Sequence, residues 1–236
     1  MRTTTHGWTV LDEAAGVLTR EYVFAPNSLA RMMTARLADG RLVAASPASG
    51  LTDEAFKELE GFGGVGAIVA TNGFHHLGLP SWQAAFPAAT VHAPRTAVTR
   101  LLKKQKAVKQ YAPLEDVRLA AGRLLDVPGQ KIGETWLEVP TAVGPTWYVS
   151  DSCFSMEKEP SHWFPRLLFR WTDSAPGFKI NGLGKKLFVT DKAAYKRWFL
   201  QQLDAESPSR ILTAHGAIVE GPNVAAQLRG MAEARL

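Results

Sequence analysis

The sequence has almost no cysteine, no long hydrophobic run and no excess of acidic residues. Cys153 is the only cysteine among 236 residues, which excludes an intramolecular disulfide and a cysteine-rich zinc site. No stretch approaches the about 18 consecutive apolar residues of a transmembrane helix. The N-terminus also lacks the apolar segment of a secretory signal peptide. These absences predict a cytoplasmic protein with no membrane partner.

What the sequence does contain is ordinary for a globular protein. Hydrophobic residues make up 46% and charged residues 21%, and the net charge is +5. A basic stretch over residues 100–109 is compatible with anionic partners, but no base-stacking motif or recognised nucleic-acid module accompanies it. We therefore do not expect nucleic acid as a partner. A small-molecule substrate or ligand is expected, but the sequence does not identify it or the oligomeric state.

Hydrophobic periodicity and turn residues predict a chain of mixed strands and helices. Short β-branched or alternating runs predict strands at 16–24, 32–37, 41–46, 66–70, 90–94, 117–119, 135–139, 146–150 and 210–214. Helical spacing with capping residues predicts helices at 51–60, 80–87, 96–109, 191–203 and 224–235. The pair Asp39-Gly40 lies between two of these strands and indicates a hairpin.

Residues 155–185 show little regular pattern and are rich in aromatic residues, proline and glycine. Such a segment is either an insert with short helices or a lid over a site. Its aromatic residues are interpreted as covering a core, with a hydrophobic pocket as the alternative; they are Trp163, Phe164, Phe169 and Trp171. Cys153, just before this segment, is interpreted as a small buried residue and not as a nucleophile.

No flexible linker, low-complexity tract or short repeat divides the chain. Each half opens with antiparallel strands and closes with helices. The order of elements therefore predicts one domain over residues 1–236, of α/β (α+β) class, in which two sheets lie between outer helices.

Three apolar strands end in side chains that can bind a metal or transfer protons. The strand at 66–70 leads to His75 and His76, the strand at 146–150 leads to Asp151, and the last strand leads to His215. A single histidine after a strand is also a common loop or capping residue. If the three strand ends converge, however, the set would suit one zinc, iron or manganese ion with water completing the coordination.

The order of these residues resembles the metallo-β-lactamase superfamily over most of the chain, from about residue 32 to 221. In the best register His75 falls on the Asp position of the family motif and His76 on its last histidine, and Leu77-Gly78 continues the pattern. Asp151 matches the later bridging Asp, and His215-Gly216 matches the terminal histidine. The resemblance implies a four-layered αββα sandwich and a metal site made of His76, Asp151 and His215, with His75 in place of a carboxylate.

The departures from the family pattern are as informative as the matches. The first two histidine positions are Thr71 and Gly73, and residues 139–144, assigned to the third histidine, contain none. The resemblance therefore implies at most one metal, or none. Two hypotheses follow: a metal-dependent hydrolase in which His75 is a ligand or general base, or a non-catalytic member that binds a small molecule or a partner.

Overall fold

The computed structural model describes all 236 residues, which form fourteen strands and seven α-helices. The strands are β1 (Arg2–Thr3), β2 (Thr9–Asp12), β3 (Val17–Ala25), β4 (Ser28–Arg36), β5 (Leu42–Ala45), β6 (Val65–Val69), β7 (Thr90–His92), β8 (Arg123–Asp126), β9 (Thr135–Thr141), β10 (Gly144–Tyr148), β11 (Cys153–Met156), β12 (Gly177–Ile180), β13 (Arg210–Leu212) and β14 (Val219–Glu220). The helices are α1 (Asp53–Glu58), α2 (Leu79–Ala85), α3 (Arg95–Lys104), α4 (Trp163–Trp171), α5 (Gly182–Phe188), α6 (Lys192–Ala205) and α7 (Val224–Arg235). None of these helices combines the length and the apolar character needed to cross a membrane.

Two large sheets make up the centre of the fold. The first has seven strands in the order β1-β2-β3-β4-β5-β6-β7, and the second has five in the order β14-β13-β10-β9-β8. Parallel pairs occur where helices connect the strands: β5 with β6, β6 with β7, and β10 with β13. The strands β11 and β12 form a separate antiparallel pair.

Side chains on successive strand residues point to opposite faces, and this alternation separates three hydrophobic cores. In β5, for example, Leu42 and Ala44 face α1–α3, whereas Val43 and Ala45 face the second sheet. In the second sheet, Tyr148 and Leu212 face the first sheet while Trp147 and Ile211 pack against α6 and α7. The layers are therefore helix, sheet, sheet, helix, which confirms the predicted αββα sandwich.

Most of the predicted elements are present, and the hairpin at Asp39-Gly40 is confirmed by the antiparallel pairing of β4 and β5. Thr52 caps α1 and Asp191 caps α6 through their side-chain oxygens. The predicted strand at 117–119 is wrong, because this segment makes only one isolated bridge, and the strand β8 that follows it was missed. Helix α3 also ends five residues before the predicted position, at Lys104.

The segment that follows β10 contains short regular elements, as the insert interpretation predicted: β11, α4, β12 and α5. The interpretation of its aromatic residues as core is wrong for three of the four. Trp163, Phe164 and Trp171 are 74%, 55% and 68% exposed on α4, whereas Phe169 stacks on Phe154. Cys153 is fully buried, in agreement with its predicted role as a small core residue.

The core between the sheets yields a prediction for stability. Leu212 is fully buried on β13, so Leu212→Ala should leave a cavity and lower the free energy of unfolding by about 2–5 kcal/mol. The measurement is urea unfolding, with Leu187→Ala as the matched control. Leu187 is 52% exposed, and its truncation should change stability by less than about 0.5 kcal/mol. Equal losses in the two variants would contradict the assignment of Leu212 to the core.

Candidate metal centre

Three strands deliver the candidate side chains to one edge of the sandwich. Strands β10 and β13 are parallel neighbours, so Asp151 and His215, which follow them, emerge side by side. Strand β6 of the first sheet leads to Thr71 and Asn72 at the same edge. The convergence expected from the sequence is therefore present for three residues, namely His75, Asp151 and His215.

Buried hydroxyl groups join the two sheets beneath this edge. Thr71 Oγ1 lies 2.5 Å from Ser46 Oγ and 2.8 Å from Ser150 Oγ, and all three residues are fully buried. Ser46 and Ser150 have positive φ angles of 54° and 43°, which are uncommon for residues other than glycine. The hydrogen bonds among these hydroxyl groups fix the backbone from which Asp151 projects.

The carboxylate of Asp151 is the hub of the cluster. Its Oδ1 lies 3.2 Å from His75 Nε2 and 3.4 Å from His215 Nε2, and its Oδ2 accepts a hydrogen bond from Asn72 Nδ2 at 2.9 Å. Burial alone would raise the pKa of Asp151, but the charge of His75 and the hydrogen bonds from both histidines hold it well below its usual range. Asp151 is therefore ionised.

His215 is oriented by the first sheet. Its Nδ1 donates to the carbonyl oxygen of Leu29 at 3.0 Å, which directs Nε2 to Asp151. Phe24 and Phe154 pack edge-on against the ring, with centroids 5.2 and 5.3 Å away. Burial alone would lower the pKa of His215, but the hydrogen bond and charge of Asp151 raise it.

The chemistry of the three donors fits a divalent metal ion. Their ligand atoms all lie within 4.8 Å of one another, and two ligands of a tetrahedral zinc ion at about 2.1 Å would be about 3.4 Å apart. The two measured contacts of Asp151 Oδ1 are close to that value. Metal-binding histidines commonly donate their second ring N–H to a carbonyl, as His215 does to Leu29. His75 differs, because its buried Nδ1 has no hydrogen-bond partner.

His76 is not brought into this group. Its carbonyl accepts a hydrogen bond from Gln105 after α3, and its ring Nδ1 is buried without a partner. Burial lowers the pKa of His76, and the positive charges of Arg100 and of a protonated His75 lower it further. The His76 ring is therefore a neutral imidazole near the basic residues of α3, whereas the adjacent His75 faces Asp151.

Residues 139–144 do not lie beside Asp151, where the third histidine of the family motif is expected. They form the hairpin between β9 and β10, and Asp151 lies beyond the opposite end of β10. Glu134, which precedes β9, lies at that end of β10, and its Oε1 accepts from the backbone N–H of Ser152 at 2.7 Å. The assignment of that histidine position to residues 139–144 is therefore wrong.

Glu134 and Gln130 belong to the site but were missed from the sequence. Both line a cavity that Asp151 and His215 also line, and their exposed fractions are 3% and 8%. Burial and the charge of Asp151 raise the pKa of Glu134 to about 8. One signal could have identified Glu134: in an antiparallel pair the start of one strand lies beside the end of its partner.

The ion cluster yields a pH-dependent prediction for metal-free protein in EDTA. A lowered folded-state pKa makes Asp151 stabilising above the unfolded pKa of aspartate, about 3.9, and this contribution is lost as the pH falls through the folded value. A raised folded-state pKa makes His215 stabilising below about 6.5, and this contribution is lost as the pH rises through the folded value. The stability difference between the parent protein and Asp151→Asn should therefore be largest between about pH 4 and pH 6.5.

Urea unfolding of both proteins across about pH 3 to 9 measures this difference. Asp116→Asn is the matched control, because that carboxylate lies outside the cluster in the turn before Val117. A difference between the parent and Asp151→Asn that stays constant over the whole range would contradict an ionised Asp151 paired with a protonated His215.

Comparison with known proteins bears on the fold. No protein-family model and no curated protein matches the sequence. Among solved structures, the DIM-1 metallo-β-lactamase superposes with a TM-score of 0.63 at 12% identity over 99% of both chains. The metallo-β-lactamase from Erythrobacter litoralis gives a TM-score of 0.61 at 16% identity over 99% of both chains. The one from Hirschia baltica gives a TM-score of 0.58 at 11% identity, over 95% of this chain and 96% of its own. The chain has the metallo-β-lactamase fold, as its sequence motifs indicated.

Proposed function

We propose that the protein is a metal-dependent hydrolase with one metal ion held by His75, Asp151 and His215. The observation that carries this proposal is the convergence of three ligand atoms within 4.8 Å at one edge of the sandwich. A bound zinc, iron or manganese ion would supply Lewis-acid activation of water near neutral pH. His75 is assigned as a ligand and not as a general base, because its Nε2 faces the same Asp151 oxygen as His215 does.

The surrounding residues keep these ligands in place. Asn72 uses both ends of its carboxamide: Nδ2 donates to Asp151 Oδ2, and Oδ1 accepts from the backbone N–H groups of Phe74 and His75. One side chain therefore fixes the turn that carries His75 and the carboxylate that His75 faces. Such supporting hydrogen bonds set ligand orientation in metal sites.

A second metal is not part of the proposal, because the positions that would bind it now belong to the core. Thr71 is fully buried in its hydrogen bonds to Ser46 and Ser150. A Cβ atom on Gly73 would lie 2.7 Å from Arg100 Cδ and 3.3 Å from the carbonyl oxygen of Ile132. A histidine at position 73 would therefore require Arg100 to move, and this supports a site of one metal at most.

We further propose that residues 1–236 form one domain and that the protein is cytoplasmic. The core between the sheets combines residues of both, such as Met33 and Val43 with Val139 and Leu212, which supports a single folding unit. The urea titration of the parent protein tests this, because one domain should unfold in one transition. The one cysteine, Cys153, is buried and unpaired, which agrees with a reducing compartment.

Metal content is the direct test of the ligand set. Purified protein reconstituted separately with zinc, iron and manganese should retain about one ion per chain, because three protein ligands suffice for such a site. His215→Ala and Asp151→Ala should reduce the stoichiometry to near zero, as measured by plasma mass spectrometry. His76→Ala is the matched control and should retain the ion. Absence of metal in the parent protein, or an equal loss in His76→Ala, would contradict the proposed ligands.

Hydrolysis is tested separately with the metal-loaded protein. We expect turnover of 4-nitrophenyl acetate or bis(4-nitrophenyl) phosphate that is abolished in Asp151→Ala and unchanged in His92→Ala. His92 is buried at the end of β7, where it bonds the carbonyl of Pro113, away from the cluster. One bound ion without turnover of either substrate would overturn the hydrolase assignment and favour a binding protein.

A further inference from the structure

Helix α4 exposes four large apolar side chains that no other part of the chain covers. Trp163 and Trp171 are 74% and 68% exposed, and Phe164 and Leu167 are 55% and 58% exposed. Residues three or four positions apart lie on the same face of a helix, so these four side chains form one continuous surface, the α4 stripe. Of the seven tryptophans in the sequence, only the two in this stripe are exposed. An exposed apolar patch of this kind marks an interaction surface.

The other face of α4 is packed next to the candidate metal centre. Phe169 stacks on Phe154 with ring centroids 5.6 Å apart, and Phe154 packs edge-on against His215 at 5.3 Å. The helix is therefore held through its inner face, and the α4 stripe points away from the core. Whatever covers the stripe lies next to the edge of the sandwich that carries the metal centre.

Positively charged side chains adjoin the α4 stripe. Arg166 and Arg170 lie four residues apart on the same helix, and both are exposed. Lys186 of α5 is also exposed, and its Nζ lies 3.6 Å from the centroid of the Trp171 ring. Glu159 forms ion pairs with Arg170 at 2.6 Å and with Arg166 at 3.9 Å. Because this one carboxylate cannot offset three cations, positive charge is in excess around the stripe.

This combination of side chains favours an anionic lipid surface over a second copy of the chain. An antiparallel pair of α4 helices across a two-fold axis would bring the arginines of both copies to the same side of the contact, where like charges repel. Anionic head groups would instead attract these arginines. Tryptophan, phenylalanine and leucine beside basic residues are also typical of helices that lie in the plane of a membrane surface, with the rings at the boundary between head groups and acyl chains.

We propose that the α4 stripe docks the protein on an anionic membrane surface, with Trp163 and Trp171 inserted among the lipid head groups. Arg166, Arg170 and Lys186 then face the lipid phosphates. The cytoplasmic leaflet is such a surface, because it carries anionic lipids. The absence of a membrane-spanning helix does not bear on this contact, since α4 lies in the plane of the surface. Docking requires neither a metal ion nor hydrolysis.

The test is co-sedimentation of the purified protein with phosphatidylcholine vesicles that contain about 30% phosphatidylglycerol. We expect saturable binding that is at least about tenfold weaker on phosphatidylcholine alone, and weaker in about 0.5 M salt, because salt screens exposed charges. Arg170→Gln removes one cation and should bind about fivefold more weakly than the parent protein. Lys103→Gln, at an exposed position on α3, is the matched control and should bind like the parent protein.

A double variant, Trp163→Ala with Trp171→Ala, tests the apolar contribution. Both side chains are mostly exposed, so their truncation should leave the fold intact. The double variant should bind the anionic vesicles at least about tenfold more weakly. Val143→Ala, 46% exposed in the turn between β9 and β10, is its matched control. Brominated lipid should quench the tryptophan fluorescence of the parent protein and not that of the double variant, because the remaining tryptophans are buried or partly buried.

Several outcomes would overturn the proposal. These are absent binding of the parent protein to the anionic vesicles, equal binding to phosphatidylcholine alone, and unchanged binding of the double variant when circular dichroism shows it to be folded. Light scattering without lipid tests the other occupant. A dimer of the parent protein that becomes a monomer in the double variant would assign the α4 stripe to a second copy of the chain and would also overturn the proposal.

Discussion

The structure at the site depends on the need to balance one partly buried negative charge, the carboxylate of Asp151. Asp151 extends from the second sheet into an edge where its side chain is only 18% exposed, and an unpaired carboxylate there would be unfavourable. Two imidazoles and one carboxamide compensate for it, and they come from both sheets and from two turns. The contacts that compensate the charge of Asp151 therefore also hold the two sheets together at this edge. They bring the ring nitrogens of His75 and His215 to the Asp151 carboxylate, where a metal ion could bind in place of the histidine protons.

The sequence predicted the sandwich well because its strands and outer helices carry clear periodic patterns. In β5 and β10, successive side chains face two different cores, so the residues are apolar on both faces. At α6, the side chain of Asp191 caps the first turn of the helix. The failures arose where local pattern does not determine burial. Helix α4 has an apolar composition that normally indicates core, yet its outward face carries Trp163 and Trp171, and only the surrounding fold decides which face is covered.

For the site, the sequence identified the side chains that directly follow parallel strands, because those strand ends share one edge of a sheet. Asp151 and His215 were predictable for this reason. The difference between His75 and His76 was not, since neighbouring residues in an irregular turn point in directions that only the path of the backbone sets. Glu134 was missed because it precedes a strand, and only residues that follow strands were considered. Its Oε1 nevertheless accepts a hydrogen bond from the backbone N–H of Ser152, next to Asp151.

The parallel pairing of β10 with β13 also determines when the cluster can exist during folding. These strands are separated in the chain by β11, β12 and helices α4 to α6, so their contact requires closure of the longest loop in the second sheet. His215 then joins Asp151 only after the chain through β13 has been synthesised. Before that point, His75 and Asp151 can be in place, but the cluster lacks its third member.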